Sequence, residues 1–315
     1  MTLWVFGHKN PDTDSICSAV SLAYLKNKLG QNAKAYALGE VRKEAQYVLD
    51  YFKVDAPTVL TSISNICNDD KDLVLEGKPK VVLVDHNEYG QSIDGLADAD
   101  LVEIVDHHKL GGMATDTPLS MRLMPVGCTC TIITQMYKEN NVEIPYEIAG
   151  LLMSAILSDT LIFKSPTTTE MDKLAVEELN KIVNVDVEKY AMDMFKAGTS
   201  LDGYSVEEIV HMDFKPFDMS GKNVGIGQVF TLDIDAVLNK QDEFLTYINS
   251  TDFDILVLAV TDIIKEGSYL IYKGSDKLIS DAFNVEASQG VFVEGAVSRK
   301  KQLVPFLTEA VKNNL

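Results

Sequence analysis

"LWVFGHKNPDTDSICSAV", residues 3–20, runs from a short apolar stretch into one histidine, one proline and two aspartates within seven positions, and then into a helical pattern from Ser15. An apolar strand that ends in a polar turn and passes at once into a helix reads as the first half of a βαβ unit. The same rhythm recurs. "KAYALG" (34–39), "PKVVLVDH" (79–86) and "LVEIVDHH" (101–108) read as strands, against helical "SICSAVSLAYLKNKLG" (15–30) and "VRKEAQYVLDYF" (41–52). Strands that alternate with helices predict a parallel sheet covered on both faces. In such sheets ligands gather beyond the carboxyl ends of the strands, and three of these four strand candidates end in His or Asp. A further helix, "YEIAGLLMSAILSD" (146–159), ends on Asp159.

The regular pattern breaks at "KAGTSLDGY" (196–204), a polar stretch with two glycines that suits a hinge. The predicted division is residues 1–198 as one domain, 199–205 as a hinge linker and 206–315 as a second, smaller mixed α/β domain. That second part opens with Ser205 and Glu208 in capping-box spacing and continues into a hairpin around "DMSGKN". Strand-like "FDILVLAVTDII", "SYLIYKG" and "GVFVEGAV" then alternate with helical "IDAVLNKQDEFLTYINS" and "SDKLISDAF".

The 315 residues suffice for two cores. With 28 Lys plus Arg against 47 Asp plus Glu, the formal charge is −19, the wrong sign for a general nucleic-acid binder. An anionic ligand must therefore meet local cations or metal ions. The start "MTLWVFGH" lacks the features of a signal peptide, and no apolar run of about 18 residues is present to span a bilayer, so a soluble cytoplasmic protein is expected. Cys17, Cys67, Cys128 and Cys130 are then expected as reduced thiols. The "CTC" of residues 128–130 has soft-metal ligands, but its surroundings suit the start of a packed helix better.

Four of the five histidines fall in the three strand-end motifs. Those motifs bring together His8, Asp12 and Asp14; Asp85, His86 and Asn87; and Asp106, His107 and His108. Asp12 or Asp14 can also be read as a simple helix cap, and a lone strand-end Asp as a structural group. Taken with Asp159, however, at least two imidazoles and four carboxylates converge on one sheet edge, and that many acids repel one another unless divalent cations compensate them. Mixed nitrogen and carboxylate ligation suits Mn²⁺, Co²⁺ or Fe²⁺ better than structural zinc, so the reading is a two-metal site. Near the carboxyl end, "GAVSRKKQLVP" (295–305) predicts a helix opened by Pro305 with Arg299, Lys300 and Lys301 leading into it, an arrangement suited to a bound anion. His211 reads as a packed or surface residue.

The ordered set "GHKNPDTD", "VDHNE", "DHH", "LSDT" and "SRKKQ" resembles the manganese-dependent family II inorganic pyrophosphatases of the DHH phosphoesterase superfamily, over nearly the whole chain. The resemblance implies a parallel-sheet DHH domain joined by the hinge to the smaller domain, with pyrophosphate hydrolysed in a cleft between them by a water that two metal ions activate. It implies that His8 and Asp12 bind one ion, that Asp14, His107 and Asp159 bind the other, and that Asp85 bridges the two. His108 would contact substrate and assist proton transfer, Asp106 would hold the histidines in place, and Asn87 and Gln91 would lie near the metal shell. Lys215, Arg299 and Lys300 would clamp the phosphates, with Ser298 a further substrate-binding residue and Lys301 completing the motif. The implied cofactors are two Mn²⁺ (or Co²⁺) ions, with additional Mg²⁺ arriving with substrate. The implied assembly is a homodimer. The stretch before Asp85, around "NICNDDKDLVLEGKPK", is longer than the family pattern. The alternative inside the superfamily is an oligonucleotide or nucleotide phosphoesterase. The glycine-rich carboxyl-terminal motif of those relatives is replaced here by "SRKKQ".

Overall fold

The computed structural model describes residues 2–65, 77–262 and 264–314. The long stretch before Asp85 and Cys67 fall largely or wholly outside them. The chain divides into two compact units, Met1–Gly198 and Thr199–Leu315.

The first unit is built on a six-stranded, all-parallel sheet. Its strands are β1 (Thr2–Phe6), β2 (Asn32–Ala37), β3 (Thr58–Val59), β4 (Lys80–Val84), β5 (Asp100–Asp106) and β6 (Ser120–Leu123), in the spatial order β3-β2-β1-β4-β5-β6. The strands are two-sided. Val5, Val82 and Val84 face one apolar core, while Trp4, Phe6, Val81 and Leu83 face another, so both sheet faces are dry and the strands read as continuous apolar runs. The first core is covered by α1 (Thr13–Lys28), α2 (Lys43–Phe52), α3 (Thr129–Glu139), α4 (Tyr146–Asp159), α5 (Glu170–Val183) and α6 (Val187–Gly198). The chain starts in mid-sheet, adds β2 and β3 on one side, and then returns to lay β4 on the other side of β1. Order reverses between β1 and β4, and at such a switch point the connections leave a crevice beyond the strand ends.

The second unit holds α7 (Val206–His211), β7 (Phe214–Met219), β8 (Lys222–Phe230), α8 (Ile234–Leu238), α9 (Gln241–Ser250), β9 (Ile255–Asp262), β10 (Gly267–Lys273), α10 (Asp276–Phe283), β11 (Val291–Glu294) and α11 (Val304–Asn313). Its sheet runs β11-β10-β9-β8-β7, with β8 and β9 parallel and the other pairs antiparallel. The β7–β8 hairpin turns on Ser220 and Gly221, both at positive φ (55° and 80°), the backbone that a two-residue turn needs. Ser205 and Glu208 form the expected capping box.

Local structure refines the sequence reading in three places. Before the polar stretch the chain forms two helices, α5 and α6, separated where Asn184 takes a left-handed turn (φ 56°) that a short polar side chain tolerates. The run 234–250, read as one helical stretch, is two helices, α8 and α9, that part at Asn239 and Lys240. The edge strand β6 has no counterpart in the sequence reading: it has only four residues, Ser120–Leu123, too short for a pattern to stand out, and none of them is buried.

Candidate metal centre and basic turn

In the first unit the chemistry-bearing residues stand at the strand ends, on both sides of the switch point. His8 follows β1, Asp85 follows β4, and His107 and His108 follow β5. Asp12 and Asp14 sit at the start of α1, and Asp159 is the last residue of α4. Asp12 does cap α1, accepting the Ser15 N–H at 3.0 Å, but its other oxygen lies 3.3 Å from His8 Nε2. The helix start is pressed against the strand end. Ser15 Oγ accepts the His8 N–H at 2.9 Å, and a Cβ on Gly7 would stand 1.9 Å from that oxygen and 2.6 Å from the Ser15 carbonyl. Gly7→Ala is therefore expected to displace α1 from β1 and to weaken Mn²⁺ binding by about tenfold or more, measured by equilibrium dialysis. Affinity within twofold of the unaltered protein would show that the contact has slack.

The two imidazoles are oriented alike. His8 Nδ1 donates to the Lys9 carbonyl at 2.7 Å and His107 Nδ1 to the Val126 carbonyl at 3.0 Å, which leaves each Nε2 facing carboxylates. Asp85 lies between them. Its Oδ2 is 3.3 Å from His8 Nε2 and its Oδ1 is 3.4 Å from His107 Nε2. Asp85 is 2% exposed and has a left-handed backbone (φ 60°), a conformation that costs a non-glycine residue about 1–3 kcal/mol and gathers at functional sites. The Thr129 hydroxyl donates to it at 3.2 Å, a contact the sequence reading did not anticipate. Asp14 is fully buried and accepts the N–H groups of Thr129 (2.7 Å) and Cys130 (3.2 Å), so the positive end of α3 supports its charge. Asp159 Oδ2 is 3.8 Å from His107 Nε2.

The remaining motif residues divide by contact. Asp106 is buried; it accepts His108 Nδ1 at 2.9 Å and the His108 backbone N–H at 3.1 Å, and the Asn87 amide also donates to it. His108 is thereby aimed while its ring stays half exposed. Asn87 also takes the Gly111 N–H and donates to the Lys109 carbonyl, which ties down the loop after the histidines. The Gln91 side chain donates to Glu88, and the Gln91 backbone carbonyl accepts the Lys9 N–H. His86 has both nitrogens engaged, with the Val84 carbonyl and Ser92 Oγ, and burial pushes it down to about 4, so it is a neutral structural histidine. His211, at the end of α7, meets Tyr247 Oη at 3.0 Å.

Two donor sets result. The ligand atoms of His8, Asp12 and Asp85 all lie within 4.8 Å of one another, and so do those of Asp14, His107 and Asp159. Asp85, His107 and His108 form an overlapping third set. Imidazole and carboxylate donors without a thiolate fit a divalent ion such as Mn²⁺. Asp14, Cys128 and Cys130 also come together, but burial pushes both thiols up, which keeps them protonated and poor as soft-metal ligands.

Without cations the acids here must be offset by protons. Burial opposes charge on His8, yet Asp12 and Asp85 outweigh it and push His8 up to about 11. Burial likewise opposes charge on His107, but Asp85 and Asp14 push it up to about 9. Burial, then the Asp85 charge, pushes Asp14 up to about 7, and burial with Asp14 raises Asp159 well above the carboxylate range. Burial would also raise Asp85, but the two imidazoles overcome it and hold Asp85 low. Groups raised this way carry protons at neutral pH, and a divalent ion must displace them. Mn²⁺ affinity is therefore expected to rise with pH, about tenfold or more between about pH 6 and about pH 8, with proton release measurable by calorimetry in two buffers. Affinity independent of pH would contradict this electrostatic picture.

The second unit contains the basic cluster. Arg299–Leu303 forms a π-helical turn that runs directly into α11, with Pro305 in the first turn of that helix. The cations therefore lie inside a continuous helical segment rather than ahead of one. Pro305 falls where the π turn passes into the first turn of α11, and π turns recur at functional sites. Ser298 caps the segment, its Oγ accepting the Lys301 N–H at 3.3 Å. Arg299 lies against Asp213, with its Nη2 2.6 Å from Oδ1, while Lys300, Lys301 and Lys215 of β7 are exposed. Asp213, two residues before Lys215, has no counterpart in the sequence reading.

Comparison with known proteins agrees with both units. Residues 2–156 match the DHH family, N-terminal domain, and residues 192–310 match the DHHA2 domain. The chain thus has the two-domain make-up of a DHH phosphoesterase. It is 45% identical over 313 residues, covering 98% of each chain, to the "Manganese-dependent inorganic pyrophosphatase" of Bacillus subtilis. It is 46% identical, again over 98% of each, to a Clostridium acetobutylicum protein described as "Probable manganese-dependent inorganic pyrophosphatase". Among solved structures, a "putative family II inorganic pyrophosphatase" from Methanococcus jannaschii aligns with a TM-score of 0.59 and 38% identity, over 98% of this chain and 99% of that one. The chain belongs to the manganese-dependent inorganic pyrophosphatase family.

Proposed function

We propose that this protein hydrolyses inorganic pyrophosphate to two phosphates, using two Mn²⁺ ions: one on His8 and Asp12, the other on Asp14, His107 and Asp159, with Asp85 on both. The observation that carries the reading is the division of Asp85's two oxygens between His8 and His107, at 3.3 and 3.4 Å. Bound there, the ions supply Lewis acidity and lower the pKa of a water to about 7. Co²⁺ is the expected substitute, and Mg²⁺ accompanies the substrate.

The protein's own residues then divide the work. Buried Asp14 and Asp85 hold their charge in place by way of α3 and Thr129. His108 donates its Nδ1–H to Asp106, which raises its pKa against the opposing effect of burial. Its half-exposed ring is placed to act as the proton donor to a phosphate oxygen as charge develops. Lys215, Arg299 and Lys300 meet the phosphate oxygens of a compact, highly charged anion that the protein's net −19 otherwise repels, and Ser298 holds the turn that presents them. Residues 1–198 form the ion-binding part, 199–205 the hinge and 206–315 the substrate-binding part. The working form is a cytoplasmic homodimer, and nucleic acid is not a partner. No helix among the described residues is long and apolar enough to cross a membrane.

The test is phosphate release from pyrophosphate by metal-stripped protein titrated with Mn²⁺, beside tripolyphosphate and a single-stranded oligonucleotide. Manganese-dependent release from pyrophosphate is expected. Hydrolysis of the oligonucleotide with none of pyrophosphate would replace this reading with the nucleotide phosphoesterase.

A further inference from the structure

A chain of buried polar side chains crosses three strands of the second unit and ends on the basic turn. Gln228 of β8 is 4% exposed, and Thr261 of β9 and Ser268 of β10 are fully buried. Gln228 Nε2 donates to Thr261 Oγ1 at 2.9 Å, Thr261 and Ser268 share a hydroxyl–hydroxyl bond of 2.8 Å, and Ser268 Oγ donates to the Ala296 carbonyl at 2.5 Å. Each hydroxyl has one proton, so the chain has one direction: Gln228 to Thr261 to Ser268 to the carbonyl. The second Nε2 hydrogen of Gln228 goes to the Val297 carbonyl at 3.1 Å, and its Oε1 accepts the Arg299 N–H at 3.1 Å. From the other side, Gln302 Oε1 accepts the N–H groups of Val297 (2.9 Å) and Ser298 (2.8 Å).

An amide and two hydroxyls inside an otherwise apolar sheet are costly to bury unless every hydrogen bond is made, and valine or leucine would fill the same space at no such cost. Apart from its internal bonds, this chain ends only on backbone groups of residues 296–299. We propose that Gln228, Thr261 and Ser268 are positioning residues for pyrophosphate binding, fixing the backbone from which Arg299 and Lys300 project. This rests on the reading above, in which those cations hold substrate. They reach it from flexible stems, so a turn free to shift loses their alignment.

The experiment compares Gln228→Leu, Thr261→Val, Thr261→Ser and Lys300→Ala in the full-length manganese-loaded enzyme, by KM and kcat for pyrophosphate, Mn²⁺ affinity and circular dichroism. Gln228→Leu is expected to raise KM about tenfold with a smaller fall in kcat, and Thr261→Val to raise it about threefold. Thr261→Ser keeps the hydroxyl and restores the unaltered KM, and Mn²⁺ affinity stays within twofold throughout. If Gln228→Leu does not fold, the valine–serine pair at 261 decides. Unaltered KM in the Leu and Val variants, or a serine variant as impaired as the valine one, overturns the proposal. If Lys300→Ala raises KM while the Gln228 and Thr261 variants do not, only the positioning role fails. If Lys300→Ala leaves KM unchanged, the clamp reading fails and takes this proposal with it.

Discussion

Asp85→Asn is expected to lower pyrophosphate turnover by on the order of 10³-fold or more and to leave the protein unable to retain two Mn²⁺ ions. The replacement keeps size, and asparagine tolerates the left-handed backbone at φ 60°, so the fold around β4 should persist. What is lost is charge at a 2% exposed position, between imidazoles 3.3 and 3.4 Å away. One face of the new side chain is an NH₂ group, which can neither ligate an ion nor balance a cation. Asp159→Asn is the control: it removes one acid from the Asp14 and His107 donor set alone and should loosen one ion while sparing the other. Metal content after dialysis against a weak chelator, with turnover measured beside it, checks both. An Asp85→Asn protein that keeps two ions and more than about a tenth of its turnover would end the two-ion reading.

Lys300→Ala is expected to give the second large effect, a fall in kcat/KM of about 10²-fold, expressed as a raised KM and a lowered kcat. Metal content should be unchanged, because the donor sets lie wholly within residues 8–159 and Lys300 lies in the other unit. Lys300 is exposed, so its removal strands no buried partner and the loss reports on substrate alone. Arg299→Ala would be harder to interpret, since Arg299 also pairs with Asp213. Loss of manganese from the Lys300 variant would contradict this division of labour between the units.

The two effects separate because the protein concentrates opposite charge in different units. In the proposed reading, the acids at one sheet edge meet cations, and the basic residues of the helical turn meet an anion. Each group is held by a neighbour outside the proposed ligand contacts: Asp14 by the start of α3, His108 by Asp106, and the Arg299 N–H by Gln228. Preparation of this kind spends folding stability in advance, so less reorganisation remains when the ligand arrives.

Much of this was open to reading in the primary structure. Apolar runs that stop at His or Asp gave β1, β4 and β5 and placed His8, Asp85 and His107 at their ends; Ser205 and Glu208 announced α7, and "DMSGKN" announced the β7–β8 turn. These features depend on neighbours a few residues away, and periodicity, caps and turn chemistry record them. The resemblance to a family, not spacing, assigned Asp85 its place between two ions. Folding alone decided the rest: the strand order that sets β1 beside β4, the left-handed turn at Asp85, the amides of Thr129 and Cys130 meeting Asp14 across more than 100 residues, and Gln228 meeting Arg299 across 71. Those contacts join side chains whose local patterns are unrelated, and only the packing of a whole sheet and its helices determines which of them meet.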